Sequence, residues 1–350
     1  MSSRISPRQD PLRYPYRDRI PAPGERVELA PGVFWLRMPM PGRLNHINVW
    51  LLRDGNGWML VDTGINSDAV KGWWEKVFAD QLEGLPVTRV LATHMHPDHA
   101  GLAGWLVQRW GAELWMSRTD FFMSRVMSGD RPNEAPEEAI RFFMRAGLSQ
   151  SQIDAYKKRF GTFGQDMTRM PVGYRRVRDG EYIDIGGREW RAAFGHGHSP
   201  EHICLYCPEL KLIIGGDQML PRITPNVSVN PSEPRANPLK DWLESCQRLR
   251  ELLPGNLLVL PAHEDLYYGL HERMTALIDY HEDALERLYD LCAEPRRPVD
   301  VFPVLFKNPV NEWTWFAATN EALAHIHCAL ERRMLKETVD EHGVVWYRQA

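Results

Sequence analysis

The segment His94-Met95-His96-Pro97-Asp98-His99 constrains the fold most, because it places three imidazoles and one carboxylate within six residues. It directly follows an apolar stretch, Val87–Thr93, that has the composition of a short buried strand. Loops at the carboxyl ends of strands are where α/β proteins usually keep their chemistry. Imidazole nitrogens and a carboxylate oxygen packed this closely can converge on a metal ion with bonds of roughly 2.0–2.2 Å. The segment therefore predicts a metal site at the edge of a sheet.

Three later segments place the same ligand types at the ends of predicted strands. They are Gly195-His196-Gly197-His198-Ser199-Pro200-Glu201-His202, Gly215-Gly216-Asp217 and Pro261-Ala262-His263. A histidine-rich turn without a ligand would explain an isolated His-x-His, but it does not explain a pattern repeated at several strand ends. The combined donors exceed what one tetrahedral ion can use, so the sequence implies two divalent metal ions.

Periodic apolar residues predict two β-rich halves, each followed by helices. In the first half, the turn Asp54-Gly55-Asn56-Gly57 joins two strands as a hairpin, and a helix follows from Asn66 or Ser67. In the second half, strands resume at Tyr182–Ile185, and a later helix has Pro238 at its first position. This pattern predicts an α/β fold in which two sheets pack face to face with helices outside them, a four-layer αββα sandwich.

The chain divides into three predicted regions. Residues 1–32 are rich in Arg, Pro and Asp and are expected to form an irregular extension, whereas residues 33–270 form the sandwich. Two helical patterns within residues 119–180 predict a helical insertion near the site. Residues 271–350 combine helices with a terminal hairpin and predict a small winged-helix-like domain, which covers the site or mediates contact in a homodimer.

The composition of the chain limits which binding partners and which cellular compartment are expected. The formal net charge is −4, and residues 281–350 carry twelve acidic and eight basic side chains, so nucleic acid is not an expected partner. The five cysteines are odd in number and thinly spread, which fits a reducing cytoplasm better than a disulfide-linked secreted domain. No stretch approaches the roughly 20 apolar residues of a membrane-spanning helix. A soluble, cytoplasmic enzyme with a small-molecule substrate is expected.

The histidine loop and the later segments together resemble the metallo-β-lactamase-fold hydrolase superfamily. The signature of that family is Thr-His-x-His-x-Asp-His followed by a separated His, Asp and His. Thr93–His99 reproduces the loop in full, and Val61-Asp62-Thr63-Gly64 matches the early Asp-Thr-Gly turn. The resemblance covers roughly residues 33–270, and the C-terminal part is similar to the winged-helix tail of a glyoxalase II-like branch. The whole set is far more specific than any single motif.

The resemblance implies a role for each matching residue. The first metal ion would be bound by His94, His96 and His198. The second would be bound by Asp98, His99 and His263, and Asp217 would bridge both. Asp62 would orient a metal-bound imidazole through its other ring nitrogen. His202, which follows His198 by four residues, would support the site without binding an ion.

Three positions depart from the commonest family pattern. His196 stands where the family often has proline, Glu201 stands where glycine is frequent, and His263 lies in Ala-His-Glu rather than Gly-His-Gly. A shifted register would make His196 compete with His198 as the ligand, but His198-Ser199-Pro200 is the better match.

Other candidate residues have ordinary explanations. Cys204 and Cys207 have a redox or zinc spacing, but strand positions three apart face opposite sides, so two buried thiols are expected. His46 could overhang the metals or be a plain surface histidine. Lys157-Lys158-Arg159 could bind an anionic handle such as coenzyme A, although a solvated helix face explains it as well.

The expected chemistry is hydrolysis. Two cations about 3.5–4 Å apart let a bridging water ionise near neutral pH and attack an electrophilic carbonyl or phosphorus. Asp98 would accept or steer the proton of that water, a catalytic role that the family resemblance implies. Ligation by nitrogen and oxygen alone favours Zn, with Fe or Mn as alternatives.

A small ester, thioester or lactone is the expected substrate. One alternative is a phosphodiesterase or nuclease of the same fold. The other is a mononuclear iron oxygenase that resembles a persulfide dioxygenase, which would use two His and one Asp on a single metal. Complete ligands for the second ion argue against that oxygenase.

Overall fold

The computed structural model describes residues 11–42, 44–129 and 134–350, so residues 1–10 of the predicted extension lie outside the description. The larger sheet has seven strands that neighbour one another in chain order. They are β1 (Val27–Ala30), β2 (Val33–Pro39), β3 (His46–Asp54), β4 (Gly57–Val61), β5 (Val87–Leu91), β6 (Glu113–Met116) and β7 (Arg175–Arg176). Strands β1 to β4 form an antiparallel meander that contains the predicted hairpin, and β4 to β7 are parallel neighbours.

The second sheet has five strands. They are β8 (Tyr182–Ile185), β9 (Arg188–Gly195), β10 (His202–Cys207), β11 (Leu212–Gly216) and β12 (Leu258–Pro261). Their spatial order is β12-β11-β10-β9-β8, and neighbours are antiparallel except β11 and β12, which are parallel. The chain therefore leaves β11 and β12 at the same edge of the sheet.

Helices connect and cover the two sheets. They are α1 (Asp68–Asp80), α2 (Pro97–Ala100), α3 (Ala103–Trp110), α4 (Arg118–Gly129), α5 (Glu137–Arg145), α6 (Gln150–Arg159), α7 (Pro238–Leu252), α8 (Leu270–Leu291), α9 (Phe302–Leu305) and α10 (Trp315–Glu331). Local sequence explains where several begin. The Ser67 hydroxyl accepts a hydrogen bond from the Val70 amide and caps α1, and Pro238 occupies the first turn of α7.

Buried side chains define four layers. Trp35, Trp50 and Trp190 belong to the cluster between the two sheets. Trp74 of α1 and Leu106 of α3 cover the outer face of the larger sheet. Helices α7 and α8 cover the outer face of the smaller sheet. The predicted αββα sandwich is therefore confirmed.

The N-terminal extension is not irregular throughout, which corrects that part of the prediction. Val27–Ala30 form the edge strand β1, Leu12 is buried, and Arg13 pairs with Tyr268 in a β-bridge. A four-residue strand is too short to show a clear alternation of apolar and polar residues in the sequence. It forms because the neighbouring strand β2 supplies its hydrogen bonds.

The region 119–180 contains more structure than its two predicted helices, which form as α5 and α6. Helix α4 was missed because Phe122 and Val126 are exposed and blur its apolar stripe. The two-residue strand β7 adds to the edge of the larger sheet.

The C-terminal part has the predicted helix followed by a hairpin. Strands β13 (Leu335–Val339) and β14 (Val345–Gln349) pair as the expected β wing. Helix α10 shares one buried cluster with α7 and α8, so apolar packing is continuous across residue 270. The domain boundaries themselves stay a prediction. Among the described ranges, no helix has the length and apolarity needed to cross a membrane.

Both cysteines of the Cys204–Cys207 pair are free and buried. Cys204 packs on the side of the helices, whereas Cys207 lies between the sheets. The prediction of two ordinary thiols on opposite faces of a strand is therefore confirmed.

Candidate metal centre

Residues from both sheets converge at one edge of the sandwich. The histidine loop follows β5, and His198 follows β9. Asp217 follows β11 and His263 follows β12, which are the two parallel strands of the smaller sheet. The structure brings all seven predicted ligands into two groups, whose donor atoms lie within 4.8 Å of one another in each group.

The first group contains His94, His96, His198 and Asp217. His94 Nε2 lies 2.8 Å from His96 Nδ1, which lies 3.0 Å from His198 Nε2. His198 Nε2 is 3.2 Å from Asp217 Oδ2. Four donors bound tetrahedrally at about 2.0–2.1 Å would stand roughly 3.3 Å apart, so this group has the dimensions of a site for one small cation.

The second group contains Asp98, His99 and His263. His263 Nε2 is 3.2 Å and His99 Nε2 is 3.4 Å from Asp98 Oδ2. Both imidazole nitrogens also face Asp217 Oδ1, at 3.4 and 3.5 Å. Asp217 thus presents one carboxylate oxygen to each group, which is the arrangement a bridging ligand requires.

Hydrogen bonds on the outer ring nitrogens set the tautomer of three imidazoles. His99 Nδ1 donates to Asp62 Oδ2 at 2.8 Å, and His263 Nδ1 donates to the His46 carbonyl at 2.9 Å. His198 Nδ1 donates to the Asn226 carbonyl at 2.7 Å. In the neutral imidazole each Nε2 therefore carries the lone pair and points inward, and a metal-binding imidazole needs this tautomer.

Three buried inner atoms have no hydrogen-bond partner among the described residues: His99 Nε2, His263 Nε2 and Asp217 Oδ1. Buried polar atoms are normally satisfied, and each exception needs an explanation. In the first group, imidazole nitrogens lie 2.8–3.0 Å apart and cannot all be protonated toward one another. A cation in each group would give the unpartnered atoms a partner and would lie between the facing nitrogens. The residues present therefore fit the metal ions that the donor set suggests.

Electrostatics distinguishes the two groups. Burial and neighbouring imidazoles lower the pKa of His94 well below its ordinary value, and they lower the pKa of His96 to about 3. Burial also disfavours charge on His99 and His263, but nearby carboxylates, including Asp98 and Asp217, outweigh it and raise both pKa values. A cation entering the second group would displace protons, since metal binding requires neutral imidazole.

Asp62 lies where the sequence predicted it, against a ligand. Its Oδ1 accepts from the Thr93 amide at 2.8 Å, and its Oδ2 accepts from the Thr93 hydroxyl at 2.9 Å and from His99 Nδ1 at 2.8 Å. Asp62 has a φ of 62°, a left-handed conformation that Asp and Asn tolerate better than most residues. Its carboxylate is fully buried and holds the histidine loop and the His99 ring together.

The two remaining histidines lie outside both groups. His202 Nε2 accepts from the Asp217 amide at 3.1 Å, and its ring stacks on His94 with centroids 4.7 Å apart. His196 Nδ1 donates to the Pro200 carbonyl at 2.6 Å. The structure therefore brings His198, and not His196, to the site.

Asp120 of α4 holds the site together but was missed in the sequence. Its Oδ1 accepts from the Met95 amide at 3.0 Å, and its Oδ2 accepts from the Glu201 amide at 2.8 Å and the Ser117 hydroxyl at 3.1 Å. One buried carboxylate thus links the histidine loop to the loop that carries His198. No spacing pattern relates Asp120 to these partners, and α4 itself was not predicted, so the sequence carried no signal for this role.

A cavity of about 830 Å³ lies beside both groups. Its inner wall includes His46, Asn226 and Glu264, which contact or adjoin His198 and His263. Its outer wall includes Lys307 and Glu321 of the C-terminal part. Residues of both the sandwich and the C-terminal part therefore line this cavity.

Sequence comparison identifies the family. A model of the metallo-beta-lactamase superfamily matches residues 42–263, and a model of the metallo-beta-lactamase-like C-terminal domain matches residues 285–350. The first match spans more than half of the chain, so this protein belongs to the metallo-beta-lactamase superfamily. Membership implies that it binds divalent metal.

Similar proteins agree with this class. The chain is 25% identical over 315 residues to the probable metallo-hydrolase YqjP of Bacillus subtilis, covering 84% of this chain and 91% of the relative. It is 26% identical over 246 residues to the acyl-coenzyme A thioesterase MBLAC2 of Gallus gallus, covering 68% and 80%. A beta-lactamase domain protein from Burkholderia ambifaria matches with 39% identity and a TM-score of 0.86, covering 97% and 99%. The protein is a hydrolase of this superfamily.

Proposed function

We propose that this hydrolase carries two metal ions and cleaves a small thioester. The observation that carries the proposal is Asp217, whose two oxygens face two separate and complete donor groups. His94, His96 and His198 would hold one ion, and Asp98, His99 and His263 the other. Zn suits these nitrogen and oxygen donors best, with Fe or Mn as alternatives.

When bound, the two ions would supply an ionised water as nucleophile and polarise the carbonyl oxygen of the substrate. The protein residues fix the geometry of that attack. Asp62 and the His46 carbonyl hold the rings of His99 and His263 by their outer nitrogens. The Asp98 side chain is 16% exposed, against 9% for Asp217, so Asp98 is the more accessible carboxylate for taking a proton.

The thioester class rests on the relatives and on the cavity. MBLAC2, named an acyl-coenzyme A thioesterase, is 24% identical in its human form over 67% of this chain. The cavity of about 830 Å³ can accept an acyl group. Esters and lactones share the electrophilic carbonyl and stay within the proposal. The alternatives that the experiments must distinguish from this proposal are a phosphodiesterase and a mononuclear iron oxygenase.

The proposed setting is a reducing cytoplasm, because all five thiols are free and buried. A small molecule is the proposed substrate, and a homodimer stays a prediction from the sequence.

Metal content per chain tests the centre. Protein purified without chelator is expected to hold about two ions per chain, and His263→Ala about one, because the second group loses a donor. His196→Ala is the matched control, since this imidazole lies on the same edge but outside both groups. About one iron per chain, unchanged in His263→Ala, would favour the oxygenase and contradict two ions.

Substrate turnover tests the reaction. Acyl-coenzyme A thioesters, lactones and an aryl phosphodiester are offered to the same metal-loaded preparation. Faster hydrolysis of thioesters than of the other two classes is expected. Preferential cleavage of the phosphodiester would overturn the thioester assignment while leaving the metal centre intact.

A further inference from the structure

A chain of two hydrogen bonds joins the C-terminal helix α10 to the first donor group. His198 Nδ1 donates to the Asn226 carbonyl at 2.7 Å. The side-chain amide of Asn226 donates in turn to Glu321 Oε2, also at 2.7 Å. Glu321 lies on α10, far from the histidine loop in sequence, and it lines the cavity beside the site.

We propose that Glu321 is a positioning residue for the metal centre, which holds His198 in its ligating orientation by anchoring Asn226. The inference rests on the proposed metal centre and extends it, because it makes the C-terminal part a component of the site. Glu321 itself touches neither an inner ligand atom nor a reacting atom in this arrangement.

The loop that carries Asn226 explains why an anchor is needed. Residues 220–237 contain no helix or strand, so backbone pairing within the loop does not fix the Asn226 carbonyl. Arg273 holds the start of the loop by donating to the Leu220 and Ile223 carbonyls at 2.6 and 2.7 Å. The Asn226 side chain has two partners: its oxygen accepts from the Ser228 hydroxyl of the same loop, and its amide donates to Glu321, the partner that lies outside the loop.

The backbone of α10 supports the same loop independently of the carboxylate. The Val229 amide donates to the Asn320 carbonyl at 3.1 Å. This second contact keeps the loop against α10 when the Glu321 side chain is changed. Loss of the carboxylate should therefore loosen Asn226 and the His198 ring without detaching the loop.

The position of Glu321 is unfavourable unless it serves such a role. Its surroundings raise its pKa to about 7, because burial penalises the charged form more than the Asn226 amide relieves it. Among the described residues, no cation forms an ion pair with it at the distances of the other ion pairs. Its side-chain hydrogen bond comes from the Asn226 amide, so the contact that the carboxylate makes is the one that anchors the loop.

Zinc affinity, measured by competition with a chromophoric chelator, tests the proposal. Glu321→Leu is expected to weaken binding of one ion by roughly 10-fold, the lower end of the effect of residues that orient metal ligands. Glu321→Gln retains an oxygen that accepts from Asn226, so it should restore affinity close to the original. Asn226→Ala removes the other end of the same contact and should match Glu321→Leu, with no further loss in the double variant.

The visible spectrum of the cobalt-substituted protein gives a second readout, because it reports ligand geometry and not fold stability. Glu321→Leu should change the spectrum, and Glu321→Gln should not. Glu331→Leu is the control, since Glu331 lies on the same helix and contacts Asn237 at the end of the same loop. It should leave affinity and spectrum unchanged.

The outcomes separate this inference from the proposed function. If Glu321→Leu and Asn226→Ala both bind zinc and cobalt like the original protein, Glu321 has no positioning role. If the original protein itself binds no metal, the proposed centre fails instead. If Glu321→Leu does not fold, Asn226→Ala and Glu321→Gln still decide the question.

Discussion

Replacing Asp62 with Asn should disable the second metal site by reversing the tautomer of His99. Asp62 accepts three hydrogen bonds, two from Thr93 and one from His99 Nδ1. Asn has the same shape and tolerates the left-handed backbone of residue 62, where φ is 62°. The substitution therefore changes the hydrogen-bonding pattern and not the packing.

The side-chain amide introduced by Asp62→Asn has two orientations, and both are unfavourable. With its oxygen toward the Thr93 amide, its NH2 group faces His99 Nδ1, which must then accept and carry its proton on Nε2. That proton blocks the nitrogen that faces Asp98 and Asp217 at 3.4 and 3.5 Å. In the other orientation the NH2 group faces the buried Thr93 amide, and an unsatisfied donor costs about 1–3 kcal/mol. The second ion can bind only in that other orientation, because His99 Nδ1 must then donate. Its cost therefore lowers metal affinity, and we expect roughly 10- to 100-fold weaker binding of the second ion.

The assay is a zinc titration against a chelator, followed by metal analysis at a fixed free zinc concentration. Asp62→Asn should hold about one ion per chain where the original protein holds about two, because the first donor group is unchanged. Circular dichroism confirms that the fold persists. Two ions bound with unchanged affinity would refute the reasoning, because His99 would then keep its tautomer without Asp62.

Three further changes have defined outcomes. Asp98→Ala should lower kcat by about 10²- to 10⁴-fold by removing both a ligand and a proton acceptor; full turnover at full metal loading would contradict the role. Asp120→Asn should lower the unfolding free energy by about 2 kcal/mol, because its NH2 group must face one of two buried backbone amides; urea denaturation measures this loss, and unchanged stability would count against the linkage. Burial lowers the pKa of His281 to about 3 and of His325 to about 4, so both imidazoles stay neutral in the folded protein. Below the ordinary pKa of histidine the unfolded chain binds protons that the folded protein does not, so the free energy of unfolding falls as the pH falls. Between pH 7.5 and 5 each neutral imidazole would account for about 2 kcal/mol, and His281→Leu should shrink the fall in unfolding free energy by that amount; an equal fall in both proteins would show that the pair does not titrate on unfolding.

Local patterns in the sequence were sufficient to predict the ligand residues. The histidine loop, Asp217 and His263 each stand directly after a strand, and strands of this length are visible as apolar runs. The choice of His198 over His196 came from the residues that follow it, and the structure brings His198 to the site. Ligand type and strand position were sufficient because each ligand loop is a local feature.

Apart from Asp62, the residues that hold those ligands could not be predicted in the same way. Asp120 bonds to amides 25 and 81 residues away, and Glu321 bonds to a side chain 95 residues away. Such pairs exist only after the layers have packed, and a single sequence contains no spacing that relates them. The same limit applies to β1 and β7, which are short edge strands whose structure comes from a neighbour.

The site therefore depends on tertiary packing more than its compact motif suggests. His99 is oriented by Asp62 at the end of β4, His263 by the His46 carbonyl at the start of β3, and His198 by the loop that α10 anchors. The larger sheet thus orients a ligand of the smaller sheet, and the C-terminal part supports another. A change that shifts any one layer would rotate an imidazole before it disrupted the core, because a hydrogen bond of 2.7–2.9 Å tolerates less displacement than apolar contact. Metal affinity should consequently be a more sensitive measure of layer packing in this protein than its melting temperature.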